Sequence, residues 1–447
     1  MQSGEDTYKI MTEAPVGRVI VRMAVPTVIS MLVACLYNIA DTWFVGKLDT
    51  CSIAAVGIVF SVMCVLQAIG SFFGHGSGAY MARELGACRH DNVRRMASTA
   101  FVLSFVVGLA LAVMVYAFID RLSLWLGSTL SLLPYTRQYL SILLFGMPFF
   151  ISSFTLSVQL RMQGLARLSM YGITSGVILN ILLDPLLIFG CDMQLRGAAW
   201  ATVIGQWVSF VVLYVMSRRY GVVHLRLRDC AFSAGLMREI ACGGSPSLSR
   251  QGLGSVSMIL LNLSAGVYGD AAIAAMSIVN RITMFVMSVI IGLGQGFQPM
   301  CGYCYGARLY ARLRCGFWFT VRLGTLVLVV FSSLLFLSSH EVIALFHDEE
   351  DVVAIGSAAL RWQLAANPLN AYVMAGNMML QTIRKPIRAN ILSSSRKGLL
   401  FIPLIIILPH FFGLKGVEMC QACCDVLTFI MAVPMVGGVL KAMKKTE

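Results

Sequence analysis

The sequence predicts an all-α polytopic membrane protein with twelve transmembrane helices in two parallel six-helix repeats. Three observations predict it. The first is composition: of 447 residues, 58% are hydrophobic and only 12% charged, with a mean hydropathy of +0.80, too little charge to cover a soluble surface. The second is a set of apolar runs, each about the 20 residues a helix needs to cross the hydrocarbon core. The third is an internal repeat. Shifted by 220 positions, Pro26 falls on Pro246, Gly46 on Gly266, Gly74 and Gly76 on Gly294 and Gly296, and Gly86-Ala87 on Gly306-Ala307. The same offset carries Pro148 onto Pro368, and a slip of one matches Leu195-Arg-Gly197 to Leu414-Lys-Gly416. Glycine and proline fix backbone geometry, so their register marks one fold unit written twice.

The predicted spans cover 19–44, 52–77, 96–119, 136–160, 169–190 and 197–217 in the first repeat. In the second they cover 240–265, 271–297, 316–338, 354–380, 389–411 and 417–439. Most Lys and Arg lie in the tails and after even-numbered spans; only Lys47, Arg121, Arg137, Arg196 and Lys415 follow odd-numbered ones. The positive-inside rule then puts both termini in the cytoplasm of a multi-pass cell (inner or plasma) membrane protein. The acidic run His347-Asp-Glu-Glu-Asp351 falls outside. The formal net charge of +13 is explained by this topology, and no nucleic-acid partner is needed. An even number of spans per repeat makes the copies parallel, related by a pseudo-two-fold axis along the membrane normal.

Taken in order, residues 1–18 form a polar N-terminal lead-in without the apolar core of a signal peptide. The N-lobe repeat is 19–217, a basic cytoplasmic linker is 218–238, the C-lobe repeat is 239–440, and 441–447 is a tail. Span 1 carries Pro26, which should bend it, then Tyr37, Asn38 and Asp41. Span 2 ends in Gly70-Ser-Phe-Phe-Gly-His-Gly-Ser-Gly78, small residues that admit close helix packing. Span 5 holds Asn180-Ile-Leu-Leu-Asp184-Pro185, and span 6 holds Thr202 and Gln206. The thirteen cysteines are scattered through apolar spans, and neither they nor the six histidines have metal-site spacing. Cys301 and Cys304 form a CxxC at a helix end with no soluble βαβ context, which argues against a redox motif. With no phosphate loop or nucleophile elbow either, an enzyme is not expected.

Charged groups inside the membrane are costly and therefore carry the functional argument. Asp41 and Asp184 both fall in the outer halves of their spans, and Asn180 lies one turn below Asp184 on the same face. Thr202 is about five residues into span 6, at the same level at about 1.5 Å per residue. Two carboxylates, a carboxamide and a hydroxyl offer hard oxygen ligands to Na⁺, or a shared proton site. Pro185 frees the carbonyl of Ile181, a further ligand or a bend. The competing explanation is that both acids only cap helix ends at the interface.

The second repeat differs. Arg250 stands where Ser30 stands in the first, followed by Gln251; span 8 adds Arg281 near mid-depth, and Asp425 sits at mid-depth in span 12. Asp425 is either a counter-ion to Arg250 or Arg281, or a second coupling group.

Asp41-Thr-Trp-Phe-Val-Gly46, Ser52-Ile-Ala-Ala-Val-Gly57, Gln163-Gly164, Asn180 to Pro185, Gly197-Ala-Ala-Trp-Ala-Thr202 and Pro246 with Arg250-Gln251-Gly252 resemble the MATE (multidrug and toxic compound extrusion) transporters. The last group is similar to the MepA-like bacterial branch. The resemblance covers about residues 18–440 and implies a two-lobed fold around a central cavity. It implies export of amphipathic, often cationic compounds against inward H⁺ or Na⁺, with no other cofactor. The coupling ion would sit at Asp41, Asn180, Asp184 and Thr202. Tyr37, Asn38, Gln206, Arg250, Gln251, Arg281 and Asp425 would line the substrate cavity or form a C-lobe polar network. The expected partners are membrane lipid and small amphipathic cations, and the expected state is a monomer. The NorM-type glutamate of span 7 has no counterpart here, since Arg250 occupies that part of the helix. Alternatives on the same fold are a lipid-linked precursor flippase, for which Arg250, Arg281 and Arg361 speak, and an exporter of an endogenous metabolite.

Overall fold

The computed structural model describes residues 4–48, 50–223, 226–347 and 349–445, apart from the side chains of Asn38, Ile39, Ala40, Thr42, Thr50 and Leu227. Among the described residues it is entirely helical. A short helix, Gly4–Thr12, precedes α1 (Val16–Val45), α2 (Thr50–Gly86) and α3 (His90–Ala117). Next come α4 (Leu133–Leu143 continued by Met147–Met162), α5 (Ala166–Pro185 with a π turn at Leu186–Gly190) and α6 (Gln194–Tyr220). The second series is α7 (Ala234–Gly266), α8 (Asp270–Gly306), α9 (Tyr310–Leu337) and α10 (Glu350–Ala366 continued by Asn370–Thr382). It ends with α11 (Pro386–Ser394, a π turn at Ser395–Leu399, then Phe401–Phe412) and α12 (Leu414–Lys445).

Each predicted span is helical, and several run a turn or more beyond their predicted ends. Among the described residues, nine helices are long and apolar enough to cross a membrane, and the two halves of α4, bent by 53°, make a tenth. The two predicted spans outside that set are α7 and α10. Polar Ser245, Ser247, Ser249, Arg250 and Gln251 lower the hydropathy of α7, and α10 is broken by a 3₁₀ turn at Asn367–Leu369. Both broken spans carry the repeated proline, Pro148 in α4 and Pro368 in α10. Proline cannot donate to the preceding turn, which favours a break there; Pro26 and Pro246 lie inside helices that continue unbroken.

The chain forms two compact units, Met1–Met11 with Ile29–Gly244, and Thr12–Val28 with Ser245–Glu447. In the first unit the opening stretch of α7 lies on α2. A Cβ on Gly76 would fall 2.3 Å from the Ile240 carbonyl, and one on Gly244 would meet the Phe72 carbonyl at the same distance. In the second unit the opening half of α1 lies on α8, where a Cβ on Gly296 would sit 2.4 Å from the Ala24 Cα. Gly76 and its repeat Gly296 are therefore points at which backbones touch.

The first unit's core gathers Val59, Leu66, Leu140, Met147, Ile151, Ile188 and Ala198 from α2, α4, α5 and α6. Helices α5 and α6 approach most closely at Gly176 and Gly205, where a Cβ on Gly176 would lie 2.2 Å from the Gly205 carbonyl. A Gly176→Val variant must therefore push the two helices apart. The expected result is a marked loss of folded protein in detergent, with soluble aggregate in its place, measured by fluorescence size-exclusion chromatography. The second unit has its own core around Met276, Leu360, Leu364, Phe401 and Val417.

Candidate functional site

In the first unit, helix spacing brings polar side chains from four helices to one place. Asn180 and Asp184 are one turn apart on α5, Thr202 and Gln206 one turn apart on α6, and Tyr37 and Asp41 one turn apart on α1. Asp184 is 0% exposed, Asn180 3%, Thr202 6% and Gln206 9%; Asp41 and Tyr37 are half-buried. The Asn180 amide donates to the Thr202 hydroxyl at 3.4 Å, and that hydroxyl donates to the Ala198 carbonyl at 3.0 Å. Asp41 lies near enough to Asp184 for their charges to repel. Tyr37 on α1 and Tyr139 on α4 lie near Thr202, within electrostatic range of both carboxylates. The close crossing at Gly176 and Gly205 holds Asn180 against α6. The bend in α4 leaves room at Gly146, where an added Cβ would collide with the Gln206 side-chain oxygen at 2.0 Å.

The set is short of hydrogen. Buried Asp41 Oδ1, both Asp184 oxygens, Asn180 Oδ1 and Gln206 Oε1 have no hydrogen-bond partner among the described residues. Neither acid has an ion-pair partner among them. Buried acceptors are normally paired, so a cluster of orphaned oxygens calls for a cation or a proton. Beyond them, a cavity of about 410 Å³ is lined by Lys47, Tyr135, Ile188, Phe189, Asp192 and Gln194. Tyr135 is one turn from Tyr139 on α4, and Ile188 and Phe189 lie on the π turn that follows Asp184 and Pro185. The rim of the cavity is strained: Asp192 and Gln194 have φ of 52° and 49°.

Of the predicted coupling residues, Asp41, Asn180, Asp184 and Thr202 are brought together, with Tyr37 and Gln206 beside them. Asn38 lies outside the described side chains. Tyr139 was not foreseen; it lies one turn from Tyr135 in the polar stretch Tyr135-Thr-Arg-Gln-Tyr139 that opens α4. Among the described residues no group of three or more His, Cys, Asp or Glu is placed to hold a metal ion.

The second unit corrects one expectation. Asp425 pairs with neither Arg250 nor Arg281. Its partner is Arg396 on the π turn of α11, whose Nε donates to Oδ1 at 2.8 Å and Nη2 to Oδ2 at 3.3 Å. Asn370 and Gln421 amides complete the shell at 2.8 Å and 2.9 Å, so the carboxylate is saturated. Arg281 is exposed, as is Arg361, whose Nε donates to the Ser339 hydroxyl at 2.7 Å. Arg250 and Gln251 are half-buried on α7, and Arg250 Nη1 is buried without a partner among the described residues. The slip of 219 positions that matches Leu195 to Leu414 puts Thr202 on Gln421 and Gln206 on Asp425. The same pair of helix positions thus serves an acidic cluster in one unit and a basic one in the other.

Comparison with known proteins accords with this architecture. The sequence model of the MatE family matches the chain twice, over residues 26–186 and 246–407. The Multidrug export protein MepA of Staphylococcus haemolyticus (strain JCSC1435) is 29% identical over 408 residues, covering 91% of this chain and 90% of the relative. The protein of the same name from Staphylococcus aureus (strain NCTC 8325 / PS 47) is 29% identical over the same length and shares. A MATE crystallised in complex with MaL6 superposes with a TM-score of 0.92 at 26% identity, over 98% of this chain and 99% of that one. A MOP superfamily transporter from Pyrococcus furiosus Vc1, described as having a binding pocket of reverse polarity, gives 0.92 at 25% identity over 98% of each chain. Two family matches across most of its length, on helices that fold as the family's do, make this chain a member of the MatE family of membrane transporters.

Proposed function

We propose that the chain is a secondary active exporter of amphipathic, cationic compounds, driven by inward H⁺ or Na⁺ bound in the first unit. What supports the cargo is the relatives' naming as multidrug export proteins. What supports the driving site is one observation: buried carboxylate oxygens, one of Asp41 and both of Asp184, with no hydrogen donor among the described residues, grouped with amide and hydroxyl oxygens. An empty Asp41–Asp184 pair keeps two like charges in a low-dielectric setting. Binding H⁺ or Na⁺ there removes the repulsion and supplies the missing contact. A conformation that holds the ion tightly and one that holds a cationic drug then exclude each other, which is all that exchange requires. The 26 methionines and the aromatic side chains offer surfaces that re-pack around varied apolar cations. Both termini lie in the cytoplasm by the distribution of Lys and Arg, in a cell membrane.

Ethidium efflux from loaded cells tests the reading. Dissipating the H⁺ and Na⁺ gradients while leaving ATP intact should collapse export to the level of cells lacking the protein. Export that persists on ATP alone refutes antiport.

A further inference from the structure

The first unit holds another cavity, of about 240 Å³, lined by His90, Arg94, Val222, Val223 and Arg226. Helix α2 starts just after Asp41 and ends just before His90, so this cavity lies at the far end of the unit from the acidic cluster. By the distribution of Lys and Arg that end is cytoplasmic. Two pieces of chain form the cavity. His90 and Arg94 are one turn apart at the start of α3, and Val222, Val223 and Arg226 belong to the segment that links the two repeats. That segment is tied down: the Val222 N–H donates to the Gln163 side-chain oxygen at 2.9 Å, the Arg226 N–H to the Ser98 hydroxyl at 3.2 Å, and the Ala231 N–H to the Thr99 hydroxyl at 3.0 Å. The linker wall is therefore held in place by side chains of α3 and α4.

The donors that face this cavity are unfilled. Asp91 and Asp229 stand 3.9 Å from Arg94 Nη1 and Nε, beyond hydrogen-bonding distance, and Asp229 Oδ2 is itself without a hydrogen-bond partner among the described residues. Among those residues the side chains of His90 and Arg226 have neither a hydrogen-bond acceptor nor an ion-pair partner. Two guanidinium forks and an imidazole thus converge on one void with no acceptor in reach. The first turn of α3 adds its positive end, since its N-cap residue Arg89 makes no side-chain capping bond. Water satisfies an isolated exposed arginine. Here three basic groups share the void, and the opposite wall is apolar, with Val223 only 4% exposed. Depth points the same way. The span predicted within α3 begins at residue 96, so Arg94 and His90 stand about 3 Å and 9 Å outside the hydrocarbon core. The polar layer on each face of a bilayer is about 5–8 Å thick, so this is the level of lipid phosphates.

We propose that the cavity between α3 and the linker binds a phosphate group, with Arg94 and Arg226 donating from its two walls, His90 beside them, and the valines against the adjoining carbon. A phosphate held there touches α3 and the linker at once, so its binding pins the segment that joins the two repeats. It has two sources, the diester of an anionic lipid in the cytoplasmic leaflet or free phosphate in solution. None of these residues belongs to the acidic cluster, so the site stands apart from the proposed ion coupling and from the exported cargo.

Thermal unfolding of the purified, delipidated chain in detergent tests this, with no ion gradient or drug present. Three probes are titrated at constant ionic strength: dioleoylphosphatidylglycerol, dioleoylphosphatidylcholine and inorganic phosphate. Phosphatidylglycerol or inorganic phosphate should raise the wild-type midpoint beyond phosphatidylcholine, and the concentration at half the shift gives an apparent affinity. Arg226→Gln should weaken that affinity about fivefold, the worth of one exposed charge-assisted contact. Its side chain is exposed and has no partner among the described residues, so the fold is not at risk. Arg94→Gln should weaken binding in the same direction, and Arg226→Lys should keep most of it. Arg167→Gln removes an exposed arginine of the same side that does not line the cavity, and should stay within twofold of the wild type. A shift with phosphatidylglycerol but not with millimolar inorganic phosphate makes the lipid headgroup the occupant; an equal shift with inorganic phosphate makes it free phosphate. Three results overturn the proposal: a wild type stabilised by neither, an affinity unchanged within twofold in Arg226→Gln, or an equal loss in Arg167→Gln, which marks general surface attraction.

Discussion

Replacing Asp184 by Asn will stop gradient-driven export of ethidium while the protein stays in the membrane at wild-type yield, and Asp41→Asn will do the same. The amide keeps the shape of the carboxylate and removes the charge that holds H⁺ or Na⁺. Contacts to a charged group are worth about 1.5–3 kcal/mol, so apparent ion affinity should fall by more than tenfold for each variant. Yield should hold because neither acid has a basic partner to be orphaned among the described residues, and neutralising a buried, uncompensated carboxylate relieves desolvation. Asp184, fully buried with both oxygens unpartnered, should show the larger effect; Asp41, half-buried with one such oxygen, the smaller. Quantitative immunoblotting of membranes beside a dye-efflux assay separates the two readouts. Normal driven export by both variants would move the ion site elsewhere.

The acidic cluster was legible because its parts are local. Asn180 and Asp184 lie one turn apart on α5, as Thr202 and Gln206 do on α6, and depth along a helix can be counted from the end of the span. The repeat was legible for a related reason: Gly76 and Gly296 must stay glycine where another backbone presses on them, so the register of the two copies survives in the sequence. What could not be read were the contacts set by rotation about a helix axis. Tyr139 is one case: it follows Thr136, Arg137 and Gln138 at the start of α4, and nothing local says which way it turns. The partner of Asp425 was misassigned because counting depth says nothing about which face a side chain occupies. Arg281 has a suitable depth and points out of the unit. Arg396 is brought inward by a π turn, whose extra residue resets the face of every side chain beyond it. The polar character of α7 is visible in its serines, but their use in gripping α11 is a long-range fact.

Asp425→Asn should give the opposite phenotype to Asp184→Asn: a loss of folded protein, with ion dependence little changed in what remains. The carboxylate holds Arg396 through two hydrogen bonds at 2.8 Å and 3.3 Å, with only 4% of the Asp425 side chain and 14% of the Arg396 side chain exposed. Neutralising one partner leaves a guanidinium charged in a low-dielectric place, a cost of roughly 3–5 kcal/mol. It also turns an amide N–H towards Arg396 Nε, so the geometry is lost with the charge. The Asn370 and Gln421 amides, which both donate to Asp425, lose part of their acceptor at the same time. Removing the second charge should reverse most of this. An Asp425→Asn/Arg396→Gln pair can exchange amide hydrogen bonds without any ion, and replacing a buried ion pair by neutral groups is often neutral or better. Membrane yield and thermal midpoint, measured on the wild type, the single variant and the double, decide the matter. Recovery in the double variant identifies Asp425 as a counter-ion fixed by Arg396. If Asp425→Asn instead inserts at normal yield and its efflux no longer responds to H⁺ or Na⁺, the pair opens during transport and the counter-ion account fails. Saturation of all the Asp425 contacts is the physical reason to expect recovery: a carboxylate held by four donors has no room for the ion that a coupling site must admit.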